Sequence, residues 1–131
     1  MGVAGNLESL LRQIPSSVKL VAVSKFKSEE DIMAAYAAGQ RRFGENRPLE
    51  MEAKAKNLPA DIEWHVIGHL QTNKIKNVLP YVSLIESVDS LHLLEAIDAA
   101  AARAGRVVDC LLEVHVAAEQ TKGGFTPEEV Q

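Results

Sequence analysis

Short apolar runs alternate with stretches of helical periodicity along most of this chain. Residues 19–23 (KLVAV) form a compact apolar run that predicts a strand, whereas Leu93, Leu94 and Ile97 recur at the spacing of one helix face. Glycines and prolines mark the ends of several of these segments. The pattern predicts strands at 19–23, 42–44, 62–67, 82–88 and 109–116, and helices at 6–13, 28–38, 48–57, 72–79 and from 89 or 90 to 104.

Capping residues support several of these helix boundaries. Ser28 and Thr126 each stand three residues before an acid, which is the spacing of a capping box. Asn6 is expected to cap the first helix, and Asp89 or Ser90 the long one, because their side chains accept hydrogen bonds from helix N–H groups. The helix that begins at Thr126 has room for only one turn in this sequence.

The order of the predicted elements favours an α/β fold. Strands that alternate with helices pair in parallel through right-handed crossovers, as in doubly wound sheets and barrels. The 131 residues are expected to form a single domain. Because a complete barrel of eight βα units needs about 250 residues, this sequence holds only part of one, with about five strands.

Charge and composition exclude several classes of protein. The chain has 14 Lys and Arg against 18 Asp and Glu, a net charge of −4, which argues against nucleic acid as a partner. Its apolar runs are far shorter than the ~20 residues that a membrane helix needs. The first residues lack the pattern of a secretory signal, and Cys110 is the single cysteine. A cytoplasmic location is therefore expected.

Candidate chemistry is concentrated where the predicted strands end, because ligands of parallel α/β folds bind at that edge. Lys25 follows the first strand. A lysine amine at such a place can attack a carbonyl carbon and form a Schiff base. The alternative is a lysine whose stem lies along apolar surface while its amine is solvated.

Two other patterns in the sequence favour no particular chemistry. His65 and His69 stand four residues apart, but no third ligand completes a zinc site, and His65 can equally be a hydrogen-bonded core histidine. Residues 117–124 follow the fifth strand and end in two glycines, without the spacing of a dinucleotide-binding or P-loop motif. No metal site is therefore predicted.

Four motifs together resemble the pyridoxal-phosphate homeostasis (YggS/PROSC) family. They are LVAVSK at 20–25, FGEN at 43–46, WHVIGHLQTNK at 64–74 and SVDS at 87–90, in that order. The resemblance implies the N-terminal part of a TIM-type (β/α)8 barrel similar to the alanine racemase N-terminal domain, the fold type III of pyridoxal 5′-phosphate (PLP) proteins. It also implies that Lys25 holds PLP as a Schiff base.

The same resemblance implies the remaining site residues and the function. Asn46 is expected beside the cofactor, and His65, Ile67 and Gly68 around the cofactor mouth or in its support. The family suggests a PLP-binding protein of vitamin B6 homeostasis without robust catalysis. The alternatives are a fold type III enzyme such as an amino-acid racemase, or a truncated half-barrel without cofactor.

The length of the chain bears on how well PLP can bind. In the family, loops of the C-terminal half of the barrel hold the phosphate, and this sequence does not contain them. Binding of PLP is therefore expected to be weak. The open edges of an incomplete barrel also favour self-association of the chain.

Overall fold

The computed structural model describes residues 2–116 and 123–131, and across them helices alternate with parallel strands. The strands are β1 (Ala22–Val23), β2 (Arg42–Glu45), β3 (Glu63–Val66), β4 (Val82–Val88) and β5 (Asp109–Leu112). The helices are α1 (Val3–Gln13), α2 (Glu29–Ala37), α3 (Pro48–Asn57), α4 (Ile75–Val78), α5 (Leu91–Arg103) and α6 (Pro127–Val130), with a 3₁₀ turn at Thr72–Lys74. The predicted α/β class is confirmed.

Within the described residues, the strands form one parallel sheet in the order β1-β2-β3-β4-β5. Each strand is therefore paired with its neighbour in sequence, as in a barrel. The register aligns Val23, Gly44, His65 and Leu84 across the first four strands. Because all strands run the same way, the loops that follow them meet at one edge of the sheet, here called the carboxyl edge.

The two faces of the sheet differ in burial. Phe43, Trp64 and Val82 stand in one row of the register and are at most 2% exposed, because the helices cover their face. Phe43 and Trp64 pack with ring centroids 6.0 Å apart. Side chains alternate between the two faces along a strand, so Val23 and Leu111 lie on the other face. These two are 55% and 51% exposed.

The predicted strand boundaries match the observed ones best in the middle of the sheet. β4 covers the predicted residues 82–88, whereas β1 is restricted to Ala22–Val23 within the predicted 19–23. β5 ends at Leu112 instead of residue 116, because the chain beyond it pairs with Phe125: His115 N–H donates to the Phe125 carbonyl at 2.7 Å. Both shortened strands have only one neighbouring strand in the described sheet.

Three of the expected caps are confirmed and one is wrong. Ser28, Ser90 and Thr126 accept backbone N–H groups at the starts of α2, α5 and α6, and Thr126 forms a complete capping box. Asn6 does not cap α1, because the helix begins upstream and the Asn6 N–H already donates to the Gly2 carbonyl. None of the described helices is long and apolar enough to cross a membrane.

Candidate functional site

The turn after β1 carries Lys25. Ser24 is buried, Lys25 is exposed, and Lys27 N–H donates to the Ser24 carbonyl at 3.0 Å. Phe26, at the third position of this turn, has a φ of 61°, which a residue with a β-carbon adopts only at a cost of about 1–3 kcal/mol. Lys25 is therefore presented to solvent by a short, strained turn.

A buried lysine on α3 hydrogen-bonds the backbone of this turn. Lys54, on α3, donates from Nζ to the Ser24 carbonyl at 2.8 Å, to Glu45 Oε2 at 2.9 Å and to Glu50 Oε2 at 2.8 Å. Ser24 Oγ also donates to Glu45 Oε2. The side chains of Lys54 and Glu45 are 8% and 0% exposed, so this ion pair has little contact with water. We call Ser24, Glu45, Glu50 and Lys54 the Lys54 network.

Glu50 links the Lys54 network to Phe26. Its Oε2 accepts the Phe26 N–H at 2.8 Å, and the guanidinium of Arg47 lies 4.6 Å from the centre of the Phe26 ring. Burial alone would raise the pKa of Glu50, but the hydrogen bonds from Lys54 and from the Phe26 N–H lower the pKa below its ordinary value. The fold therefore favours the charged form of Glu50.

Asn46 and Gly68 are in direct contact at the carboxyl edge. A β-carbon on residue 68 would lie 2.8 Å from Asn46 Oδ1 and 3.0 Å from its Cγ. The Gly68 carbonyl is fixed by the Ser87 hydroxyl, which donates to it at 2.5 Å. Asn46 after β2 and Gly68 after β3 thus form one surface, and a β-carbon at position 68 would force the amide to move.

Ile67 lies beside this surface, and its side chain closely approaches the backbone of Gly44. A β-carbon on Gly44 would be 3.1 Å from Ile67 Cδ1 and 3.2 Å from Val21 Cγ1. Phe26, which follows Lys25 in its turn, lines the same cavity as Asn46. The structure therefore brings Asn46, Ile67 and Gly68 together, next to the turn that carries Lys25.

His65 stands apart from that group. It precedes Ile67 by two residues, so it faces the same side of the sheet further from the carboxyl edge. Its Nδ1 lies 2.8 Å from Glu86 Oε2, and its side chain is 9% exposed. With Lys19, Arg42 and Glu86 it lines a cavity of about 310 Å³ that Asn46 does not line.

His69 and Asp89 form a second histidine–carboxylate pair, at the carboxyl edge. His69 Nδ1 lies 2.7 Å from Asp89 Oδ2. His69 borders two cavities of about 650 Å³ each: one toward Asn46, Arg47 and Lys74, the other toward Asp89, Glu113, Val114, His115, Val116 and Gly123. The loop residues 117–122 lie outside the described residues.

Metal coordination finds no support in the described residues. Across residues 2–116 and 123–131, no three His, Cys, Asp or Glu side chains are grouped so that they could hold a metal ion. Cys110 is a free, half-buried thiol. Burial raises its pKa, and the nearby charge of Asp109 raises it further.

The Lys54 network is the part of the site that the sequence does not predict. Glu50 and Lys54 stand four residues apart on a predicted helix, which signals an i,i+4 ion pair but gives no sign of its burial. Nothing in the sequence near Phe26 signals a positive φ. Both features come from α3 packing beneath the turn after β1.

The chain is similar to known proteins along most of its length. Residues 3–131 match the family model of the alanine racemase N-terminal domain. The chain is 39% identical over 116 residues to the pyridoxal phosphate homeostasis protein of Schizosaccharomyces pombe, covering 87% of this chain and 49% of that protein. The chain thus spans about half the length of the curated relatives it matches.

Solved structures agree on the fold. PipY of Synechococcus elongatus, in its structure with PLP bound, superposes with a TM-score of 0.89 at 41% identity, over 98% of this chain and 60% of PipY. Alanine racemase from E. faecalis superposes with a TM-score of 0.75 at 19% identity, over 98% of this chain and 35% of the racemase, which bears on the fold alone. The predicted incomplete barrel is confirmed, and the chain belongs to the family of the alanine racemase N-terminal domain.

Proposed function

We propose that this chain is the PLP-holding part of a protein of PLP homeostasis, with the cofactor bound as a Schiff base on Lys25. The observation that carries the proposal is the position of Lys25: an exposed lysine at the carboxyl edge, on a turn held by buried charges. The 41% identity to PipY, whose structure has PLP bound, supports the choice of cofactor.

The chemistry needs no group beyond the lysine and the aldehyde. When bound, PLP would supply an aldehyde with which the Lys25 amine could condense, releasing the carbonyl oxygen as water and leaving a C=N bond. No electrons are exchanged, so no oxidant or reductant is required. An exposed amine at the end of a strand can reach an aldehyde that approaches from the carboxyl edge.

The other proposed site residues have supporting roles. Asn46 and Gly68 form the surface beside Lys25, where an amide can hydrogen-bond a polar ring substituent, and Ile67 supplies an apolar contact next to it. His65 acts at a distance, because its ring is held by Glu86 further from the edge. We therefore propose direct contacts for Asn46, Ile67 and Gly68 and a supporting role for His65.

The phosphate of PLP is the part of the cofactor that this chain is least equipped to hold. Phosphate sites of such barrels are commonly built from the loops after the seventh and eighth strands. We propose that residues 1–131 are the N-terminal portion of one barrel domain and that they supply the amine, while the phosphate contacts come from further strands. The chain alone should then bind PLP weakly.

Borohydride trapping tests the proposal. The chain is mixed with PLP, reduced with borohydride, digested, and the pyridoxyl adduct is located by peptide mass. We expect the adduct on Lys25, and its loss in Lys25→Ala but not in Lys27→Ala, since Lys27 is another exposed lysine two residues away. Absence of an adduct on Lys25 would refute the assignment of Lys25.

We further propose a carrier role, in the cytoplasm, without robust catalysis by this chain. A racemase would speed the exchange of the α-proton of an amino acid in deuterated water above the rate given by free PLP. We expect no such acceleration that depends on Lys25. Exchange well above the free-cofactor rate that vanishes in Lys25→Ala would favour the racemase alternative.

A further inference from the structure

The turn that carries Lys25 adopts a backbone conformation that its own residues do not favour. Phe26 has a φ of 61°, whereas left-handed positions in turns are normally occupied by glycine or asparagine. The Phe26 ring is 68% exposed, so burial of the ring does not offset the strain. Other contacts must hold the turn in this form.

Two contacts from α3 restrain the turn, one on each side of Lys25. On the N-terminal side, the Ser24 carbonyl accepts Lys54 Nζ at 2.8 Å. On the C-terminal side, the Phe26 N–H donates to Glu50 Oε2 at 2.8 Å. The same Glu50 oxygen accepts Lys54 Nζ at 2.8 Å, so one ion pair fixes both peptide groups that flank Lys25.

We propose that Glu50, held by Lys54, is a positioning residue that keeps the Lys25 turn in its strained form and so fixes where the Lys25 amine meets its aldehyde. This inference rests on the proposed function of Lys25. Glu50 touches neither Lys25 nor the aldehyde in this scheme; it acts through the backbone of Phe26. Arg47 also restrains Phe26, because its guanidinium lies over the Phe26 ring.

Glu50→Ala and Glu50→Gln separate the hydrogen bond from the charge. Alanine removes the acceptor of the Phe26 N–H, whereas glutamine keeps a neutral acceptor of the same length. Glu52→Gln is the matched control, since Glu52 lies on the same helix and pairs with Lys56 at 3.9 Å without touching the turn. Glu50 is a partly exposed side chain at the start of α3, so these variants are expected to fold.

Two readouts are taken on folded protein. The first is the ratio of pyridoxyl adduct on Lys25 to adduct on Lys27 after brief exposure to PLP and borohydride. The second is hydrogen exchange at the Phe26 amide, which needs no cofactor. We expect Glu50→Ala to lower the ratio and to speed the exchange, each about tenfold, because a hydrogen bond to a charged acceptor is lost. Glu50→Gln should give a smaller change and Glu52→Gln none.

Phe26→Gly provides the rescue that a merely structural role would not show. Glycine adopts the left-handed conformation without strain, so the turn should need Glu50 less. We expect Glu50→Ala to change the adduct ratio much less in the Phe26→Gly background than in the natural chain. An equal loss in both backgrounds would overturn the positioning role.

The outcomes separate this inference from the proposed function. If Lys25 is labelled in the natural chain but Glu50→Ala leaves both the adduct ratio and the Phe26 exchange unchanged, the positioning role is refuted while the function of Lys25 stands. If Lys25 is never labelled, the proposed function fails, and the exchange at Phe26 alone decides whether Glu50 holds the turn.

Discussion

The side-chain amide of Asn46 occupies the space that a β-carbon on Gly68 would need, with Oδ1 2.8 Å from that position. The contact joins the loops after β2 and β3 at the carboxyl edge, where the proposed cofactor surface lies. The close approach to the Asn46 side chain, and not the backbone conformation, is what favours glycine at position 68, since its φ is not unusual. The pair therefore offers a direct test of how the site is built.

Gly68→Ala should displace the Asn46 side chain and destabilise the fold by about 1–3 kcal/mol, the usual cost of a forced overlap. Urea unfolding measures the loss. In an Asn46→Ala background the same substitution should cost clearly less, because the overlapping atoms beyond the β-carbon are gone. Equal costs in the two backgrounds would contradict the contact.

Lys54→Met should lower the free energy of unfolding by about 3–5 kcal/mol, because it leaves the buried carboxylate of Glu45 without its counter-charge. The double variant Lys54→Met with Glu45→Leu should recover much of that loss, since no charge is then left buried. Lys56→Met serves as the control, because Lys56 is 60% exposed and pairs only loosely with Glu52. A loss of under about 1 kcal/mol for Lys54→Met would mean that the ion pair contributes little.

Acid should weaken the contribution of Glu50. Its pKa in the fold lies below the ordinary 4.5, despite some burial, because Lys54 and the Phe26 N–H bond its carboxylate and Arg47 lies nearby. The stabilisation is complete above pH 4.5 and is lost as the pH falls through the lowered pKa. The difference in unfolding free energy between the natural chain and Glu50→Gln should therefore shrink below pH 4.5. A difference that stays constant or grows in acid would contradict this assignment.

The 131-residue chain on its own should self-associate. Val23 and Leu111 expose apolar side chains on the sheet face that the helices leave uncovered, and β1 and β5 are edge strands of the described sheet. Sedimentation should show mass that rises with concentration. Leu111→Glu should reduce the association, whereas Val107→Glu should not, because Val107 is 92% exposed but lies outside the sheet. A monomer at all concentrations would refute the expectation.

The sequence allowed most elements to be predicted because their signals are local. Ser28, Ser90 and Thr126 cap helices through contacts with residues three positions later, which are visible in the sequence. The central strand β4 also follows from its own apolar run. The cap predicted at Asn6 is wrong because a polar residue near a helix start resembles a cap even when the helix begins earlier.

The candidate site was predictable only where residues themselves carry the chemistry. Lys25 and Asn46 follow strands, so their position at the carboxyl edge follows from strand direction. The hydrogen bond from Lys54 to the Ser24 carbonyl spans 30 residues and depends on how α3 packs against β2 and β3. The conformation of Phe26 depends in turn on Glu50. Long-range packing of this kind leaves no local signal.

The Lys54 network also has a consequence for the order of folding. Its four residues all lie within the first 54, in two consecutive βα units. During synthesis, this part of the chain can close its ion pairs before β3, β4 and β5 have been made. The Lys54 network can thus form before the later strands are made, and those strands would add to a turn that is already set.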